Sequence, residues 1–406
     1  MAFILNDLLS SLDSSIALLD SSSDLLEILQ AINVTNPAKG YGKSRRKTYD
    51  SFAALPPASA DFRGALAVVQ IVPTVGVSHL ASANTENGLY LCDGSQWSIV
   101  EELDSVSFPP AFLGVNYGYA TGGAGGPSYN GGTLRNHINK FPFASDDNAT
   151  NVGSLTASRG GSGQSSPSSG YTSGGDVANL TGGTRSNVID KFPFASDGNA
   201  TDVGDLTVAR SGSGQSSTVS GYVSGGDGAT TVIDKFPFAS DANATNVGSL
   251  VSNTFAAGQS SETHGYSSGG DPTNKLILKF PFASDGTATS VGDLTTTRSG
   301  LGGMPAGQSS ELSGYCSGAP YGSTVIDKFP FSSDANATDV GDLTQVRGDC
   351  SGQSSGVSGY TSGGYSGVSP FALTNVIDKF PFSSDANATD VGDLTEAKRS
   401  TAGQQD

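Results

Sequence analysis

The sequence predicts a mainly β protein assembled from six copies of one small antiparallel sheet, and three observations predict it. The tetrapeptide Lys-Phe-Pro-Phe begins at Lys140, Lys191, Lys235, Lys279, Lys328 and Lys379, at intervals of 51, 44, 44, 49 and 51 residues. A Gly-Tyr pair places one tyrosine in each copy, at Tyr119, Tyr171, Tyr222, Tyr266, Tyr315 and Tyr360. The 55 glycines recur at fixed places beside turns, rather than diffusely as in a low-complexity chain. Self-similarity at this period marks a repeat architecture, and four short strands in roughly 45 to 50 residues is the size of one propeller blade. The expected architecture is a six-bladed β-propeller preceded by a small β module and an N-terminal α-helical segment.

Residues 1–33 carry Leu5, Leu8, Leu9, Leu12, Ile16 and Leu19, then Leu25, Leu26, Ile28, Leu29 and Ile32, with Ser21 to Ser23 between the two groups. Spacings of three and four fit amphipathic helix. Such an apolar stripe needs a partner, and self-association, most simply as a trimer, is expected to cover it. Residues 34–48 hold Pro37, Gly40, Gly42 and the basic group Lys43, Arg45, Arg46 and Lys47, and read as a linker. Residues 49–104 read as a compact β module, with Leu66 to Val69 followed by a hairpin around Asp93-Gly94-Ser95-Gln96-Trp97.

Residues 105–406 form the propeller. In the copy from Ser213 to Leu250, segment A is Gly214-Gln215-Ser216-Ser217 and segment B is Gly221-Tyr222-Val223-Ser224, stopped by Gly225-Gly226. Segment C runs from Val232 to Phe238, with Val232, Asp234, Phe236 and Phe238 expected on one side and Ile233, Lys235 and Pro237 on the other. Segment D is Val247 to Leu250, after an Asp/Asn-rich turn from Asp241. The first copy begins at its B segment, while Ala402-Gly403-Gln404-Gln405 forms a sixth A segment at the other end. That strand is expected to complete the first blade and leave no open sheet edge.

Each copy resembles a kelch repeat. The residues that carry the likeness are the Gly-Gly doublet ending segment B, the aromatic segment C, the polar turn, and the Arg-Ser-Gly-x-Gly passage from Arg210 to Gly214. The tryptophan of that family's D segment is replaced by Val152, Val203, Val247, Val291, Val340 and Val391, and the fifth copy has Gly318-Ala319 at the doublet. Residues 49–104 resemble small modules near the N-termini of bacteriophage fibre and other virion appendage proteins, in which a hairpin ends at a Gly-x-x-Trp corner.

Chemistry that an enzyme needs is sparse. The histidines His79, His137 and His264 occupy no common repeat position, and no paired-carboxylate motif stands out. Cys92, Cys316 and Cys350 are odd in number and form no CxxC pair, so neither a disulfide framework nor zinc is indicated. The Asp-x-Asn turns, such as Asp334-Ala335-Asn336, lack the EF-hand spacing and its closing Glu, so a turn-forming role is favoured over calcium. The Asn-Ala-Thr triplets read as turn sequence. No cofactor is expected.

A net charge of −17 argues against nucleic acid as a partner. No apolar run is long enough to span a membrane, and Asp7 and Asp13 precede any basic residue, unlike a secretory signal. Asp205 and Arg210, Asp293 and Arg298, Asp342 and Arg347, and Asp393 and Lys398 recur five apart, and ion pairs between neighbouring blades would account for them. Six equivalent glutamines, Gln164, Gln215, Gln259, Gln308, Gln353 and Gln404, either line a polar channel or satisfy one another.

The resemblances imply a non-enzymatic bacteriophage virion structural protein of tail-fibre or spike type, assembled in host cytoplasm and attached to other virion proteins through its N-terminal region. The head would bind host-surface glycan or protein; a purely architectural role on capsid, collar or tail is the alternative. Loops between segments B and C are long in copies one, two and six, which closure would make neighbours. Their candidate ligand-binding residues are Tyr129, Arg135, His137, Arg185, Tyr365 and Phe371.

Overall fold

A computed structural model describes the strands Thr48–Tyr49, Leu66–Val69, Gly88–Cys92 and Trp97–Glu102, and residues 113–406 apart from 127–131, 178–183, 227–229, 252–255, 271–274, 299–303, 320–322 and 367–371. The described residues are all β or irregular, without a helix. The helical expectation for residues 1–33 lies outside them. The chain divides into two compact units, Met1–Ser107 and Phe108–Asp406.

In the first unit the four strands make one sheet in sequence order. Its first pair is parallel and the others are antiparallel. The hairpin anticipated around Asp93 joins Gly88–Cys92 to Trp97–Glu102, with Cys92 opposite Trp97.

The second unit contains six four-stranded antiparallel sheets of one plan, numbered here one to six in chain order. Sheet three has the strands Ser213–Ser216, Ser220–Ser224, Val232–Pro237 and Thr245–Ser249, hydrogen-bonded in that order. Sheets two, four, five and six repeat it. Sheet one takes Tyr117–Thr121, His137–Pro142 and Thr150–Ser154 from the start of the unit, and its first strand, Ala402–Gln405, from the end. There Gln404 lies opposite Tyr119, the register that Gln215 and Tyr222 keep in sheet three. A short three-stranded sheet of Ala124–Gly125, Thr133–Leu134 and Lys398–Arg399 braces the same junction.

The first strands of the six sheets lie against one another in succession, and the strand of sheet six meets Ala402–Gln405. Their central glycines explain how such close approach is possible. A Cβ on Gly214 would be driven into the carbonyl oxygen of Gly163, one on Gly258 into that of Gly214, and so on through Gly307, Gly352 and Gly403 until Gly163 meets Gly403. Only a residue without a side chain fits there.

Apolar packing between sheets follows the same succession. Tyr222 of sheet three stacks on Phe282 of sheet four at 4.7 Å between ring centroids, and Tyr360 of sheet six stacks on Phe143 of sheet one at 4.7 Å. The cluster around Tyr222 also takes Ile233 and Leu250 from its own sheet and Leu278 and Phe280 from the next. Both faces of a sheet are therefore buried, one against each neighbour. This resolves the imperfect alternation of segment C: Ile233 and Asp234 are both fully buried, and the pairing with the fourth strand slips between them at a bulge. Val247, standing where a tryptophan was expected, packs half-buried against the Tyr222 cluster.

Candidate ligand-binding face

The residues that recur in every sheet are occupied in joining sheets. Gln215 Nε2 donates to the carbonyl of Tyr266 in the next sheet at 2.9 Å, and each of the other five glutamines makes the equivalent bond to the next tyrosine. The glutamines thus do not bond one another; each crosses to a neighbouring backbone acceptor that would otherwise be buried without this partner, and Gln164, Gln215 and Gln259 also border the small cavity between the first strands. Lys235 bridges to Asp285 in the next sheet at 3.0 Å, and the series runs through all six lysines to Lys379 with Asp146. The turn asparagines serve the same junctions: Asn243 Oδ1 accepts the N–H of Asp205 at 3.0 Å, and Asn148, Asn199, Asn336 and Asn387 act alike. Among the described residues no group of three or more His, Cys, Asp or Glu side chains could hold a metal ion.

The expected pairing of Asp205 with Arg210 and its equivalents is corrected. Past the fourth strand the chain turns inward, which buries Arg210 completely inside sheet three, where its Nη1 meets Asp234 at 2.7 Å. Arg159 with Asp190, Arg298 with Asp327 and Arg347 with Asp378 are the same buried pair. Each carboxylate also accepts the backbone N–H and hydroxyl of a threonine, as Asp234 does from Thr207 at 3.0 and 2.6 Å. These pairs stabilise single sheets and are not exposed.

What differs between sheets lies elsewhere. Two cavities lie where the first strands meet. One, of about 60 Å³, is lined by Gly, Gln and Ser; the other, of about 80 Å³, also takes Met304, Pro305 and Cys350. Both are far below the usual several hundred Å³ of a small-molecule site. Burial pushes the Cys316 thiol up to about 11 and that of Cys350 to about 12, so neither is a ready nucleophile. The connections from second to third and from fourth to first strands share one end of each sheet. The chain enters the unit at the opposite end, where Gly114 bridges to Ser355 in the turn between the first two strands of sheet six.

The four proposed loop residues that the structure describes fall into three situations. Arg135 and His137 of sheet one are brought together by Glu396, which arrives from sheet six: Arg135 Nε lies 2.9 Å from Oε2, and His137 Nδ1 lies 3.2 Å from Oε1. Arg185 is held within its own loop by Asp176 at 2.5 Å. Tyr365 is 1% exposed, which corrects its assignment to a ligand surface. It is wedged between Gly348 and Leu373 by isolated β-bridges, with the Arg399 guanidinium 5.8 Å from its ring. Tyr129 and Phe371 lie outside the described residues.

Sequence reasoning passed over Glu396, Arg399 and Asp349 and assigned Lys398 to Asp393, whereas these four residues, Lys398 included, build the junction of sheets six and one. Arg399 pairs with Asp349 at 2.6 Å, and the hydroxyl of Ser400 donates to the same carboxylate. Asp349 and Ser400 both adopt left-handed backbone conformations, at φ 57° and 54°. The available signal was departure from the repeat: Glu396 stands where the other copies have Ala157, Val208, Ser252, Thr296 and Gln345. No protein-family model and no curated protein sequence matches the chain, so the functional reading rests on this geometry.

Proposed function

We propose that residues 105–406 are a six-bladed, kelch-like β-propeller, closed by the strand Ala402–Gln405 and displayed for host-surface binding by a bacteriophage virion structural protein. The observation that carries the display reading is a division of labour. Repeated side chains are consumed at sheet junctions, whereas variation in loop length concentrates at the end away from where the chain enters. Function commonly sits on variable loops held by a rigid scaffold. Within that reading, residues 1–33 form a helical trimerisation and attachment segment, and the head engages a host glycan or envelope protein without cofactor or catalysis.

Arg135 and Arg185 present partly exposed cationic edges on an otherwise acidic protein, with the His137 ring beside the first, which suits acidic surface polysaccharide. The architectural alternative draws on the same residues, since each already has a carboxylate partner. Purified protein should compete with phage particles for adsorption to host cells, and a version with the three long loops cut to the length of the short copies, in which Lys235 follows Tyr222 by 13 residues, should fold but fail to compete. Equal competition by both versions sinks the loop site; no competition by either favours the architectural role.

A further inference from the structure

Of six equivalent places in the sheets four carry a buried ion pair, and the closing sheet carries an unbalanced one. Sheets two, three, five and six hold an arginine against an aspartate at 2.7 to 3.0 Å. In sheet four the corresponding residues are Thr254 and Leu278, so both charges are lost together. In sheet one they are Lys398 and Asn139, so the cation is kept and the carboxylate is gone.

Both residues are fully buried. Asn139 Oδ1 accepts the Thr395 hydroxyl at 3.0 Å, while its Nδ2 has no hydrogen-bond partner. Lys398 Nζ has one long bond, to the Ala120 carbonyl at 3.4 Å. A protonated lysine brings three donors to a place already short of acceptors, whereas a neutral amine brings a lone pair. A buried ammonium without an adjoining carboxylate is costly.

We infer that Lys398 is a pH-sensitive latch on the closing sheet: uncharged, it lets the strand Ala402–Gln405 stay docked, and its protonation loosens that strand. The lysine is four residues from the strand and itself pairs with Gly125 in the bracing sheet, so its environment and the docking are coupled. Burial pulls it down to about 7 from its ordinary 10.5, against the raising effect of Glu396 and with a further lowering by Arg135. His137 contacts the same Glu396 at 3.2 Å. Arg399 and Asp349, packed beside it, balance each other at 2.6 Å.

Because the docked form has the lower proton affinity, docking strengthens as pH rises from about 7 toward 10.5 and gains nothing below 7. With those two values the opening equilibrium rises about 30-fold from pH 8.5 to pH 6.

Hydrogen exchange of the Ala402–Gln405 amides in the full chain, corrected for intrinsic rates, reads this directly. Wild type should lose about 30-fold of protection over that pH range. Lys398→Met should lose none, and Lys398→Arg with Asn139→Asp, which rebuilds the pair of the other sheets, should behave likewise and serves if the methionine variant does not fold. Unchanged wild-type protection overturns the latch. So does a pH response of equal size in the variants, which would assign the effect to another group.

Discussion

Gln353 Nε2 donates to the carbonyl of Tyr119 at 2.9 Å, joining residues 234 positions apart and tying the last complete sheet in the chain to the first. The next link, Gln404 to Tyr171 at 2.8 Å, comes from the terminal strand. The unit's contacts thus run in one succession, and the final strand contributes to two junctions at once.

Deleting Arg399 to Asp406 should therefore lower the melting temperature of the whole second unit, by on the order of 10 °C, because sheet one loses its first strand and sheet two a cross-link. Differential scanning calorimetry of the truncated chain tests this. An unchanged melting temperature would mean the strand is a dispensable addition.

Gln259→Ala removes a bond to the Tyr315 carbonyl and one to the Ser268 hydroxyl, both buried. A cost of about 1 to 3 kcal/mol in urea denaturation is expected, since a buried acceptor loses its partner. Lys328→Ala breaks a bridge whose Asp385 is 59% exposed, and should cost about 1 kcal/mol or less. The order of the two effects is the test, and a larger loss for the lysine variant would reverse the assignment of which junction matters.

How far the sequence carried the fold follows from which residues repeat. Lys140 and its equivalents, with the Gly-Tyr pairs, gave the number of copies, and the orphan segment at Ala402 gave the source of the fourth strand in sheet one. Asp234 lies on the side of segment C that alternation gave it, opposite Val223 as Phe236 lies opposite Gly221, but alternation did not announce that both sides would be buried. Arg210 was paired with Asp205 on sequence distance, whereas its partner is 24 residues on and reached through the sheet. The site was less legible. A tyrosine in a long loop reads as a surface group, and nothing local to Tyr365 announces that Arg399, from the end of the chain, covers it. Repetition shows what a repeat protein needs for folding; single departures such as Glu396 have to be read against it.

Two glycine substitutions should have opposite outcomes. Gly214→Ala forces a methyl group into the Gly163 carbonyl where the first strands meet, backbone against backbone, and should cost about 2 kcal/mol or more. Gly198→Ala meets nothing within 4 Å, and should be neutral or stabilise by up to about 1 kcal/mol through the unfolded chain. Equal melting curves for the two would show that the inner strands are not packed this closely.

The buried pairs make the sharpest stability test, because the protein contains its own control. Asp327 accepts from Arg298 at 2.8 Å, a pair wholly away from water, and from the Thr295 hydroxyl at 2.5 Å. Asp327→Leu alone strands a guanidinium in the interior and should cost about 3 to 5 kcal/mol. Arg298→Thr alone leaves the carboxylate with its threonine donors and should cost less, because part of its hydrogen bonding survives. The double variant reproduces the Thr254 and Leu278 combination of sheet four, and should recover most of the loss, since a buried pair gives little net stabilisation over apolar packing of similar volume. Denaturation of the two single variants and the double variant gives the coupling as a cycle. Strict additivity would mean the two side chains act independently, and the matched losses in sheet four would then need another cause.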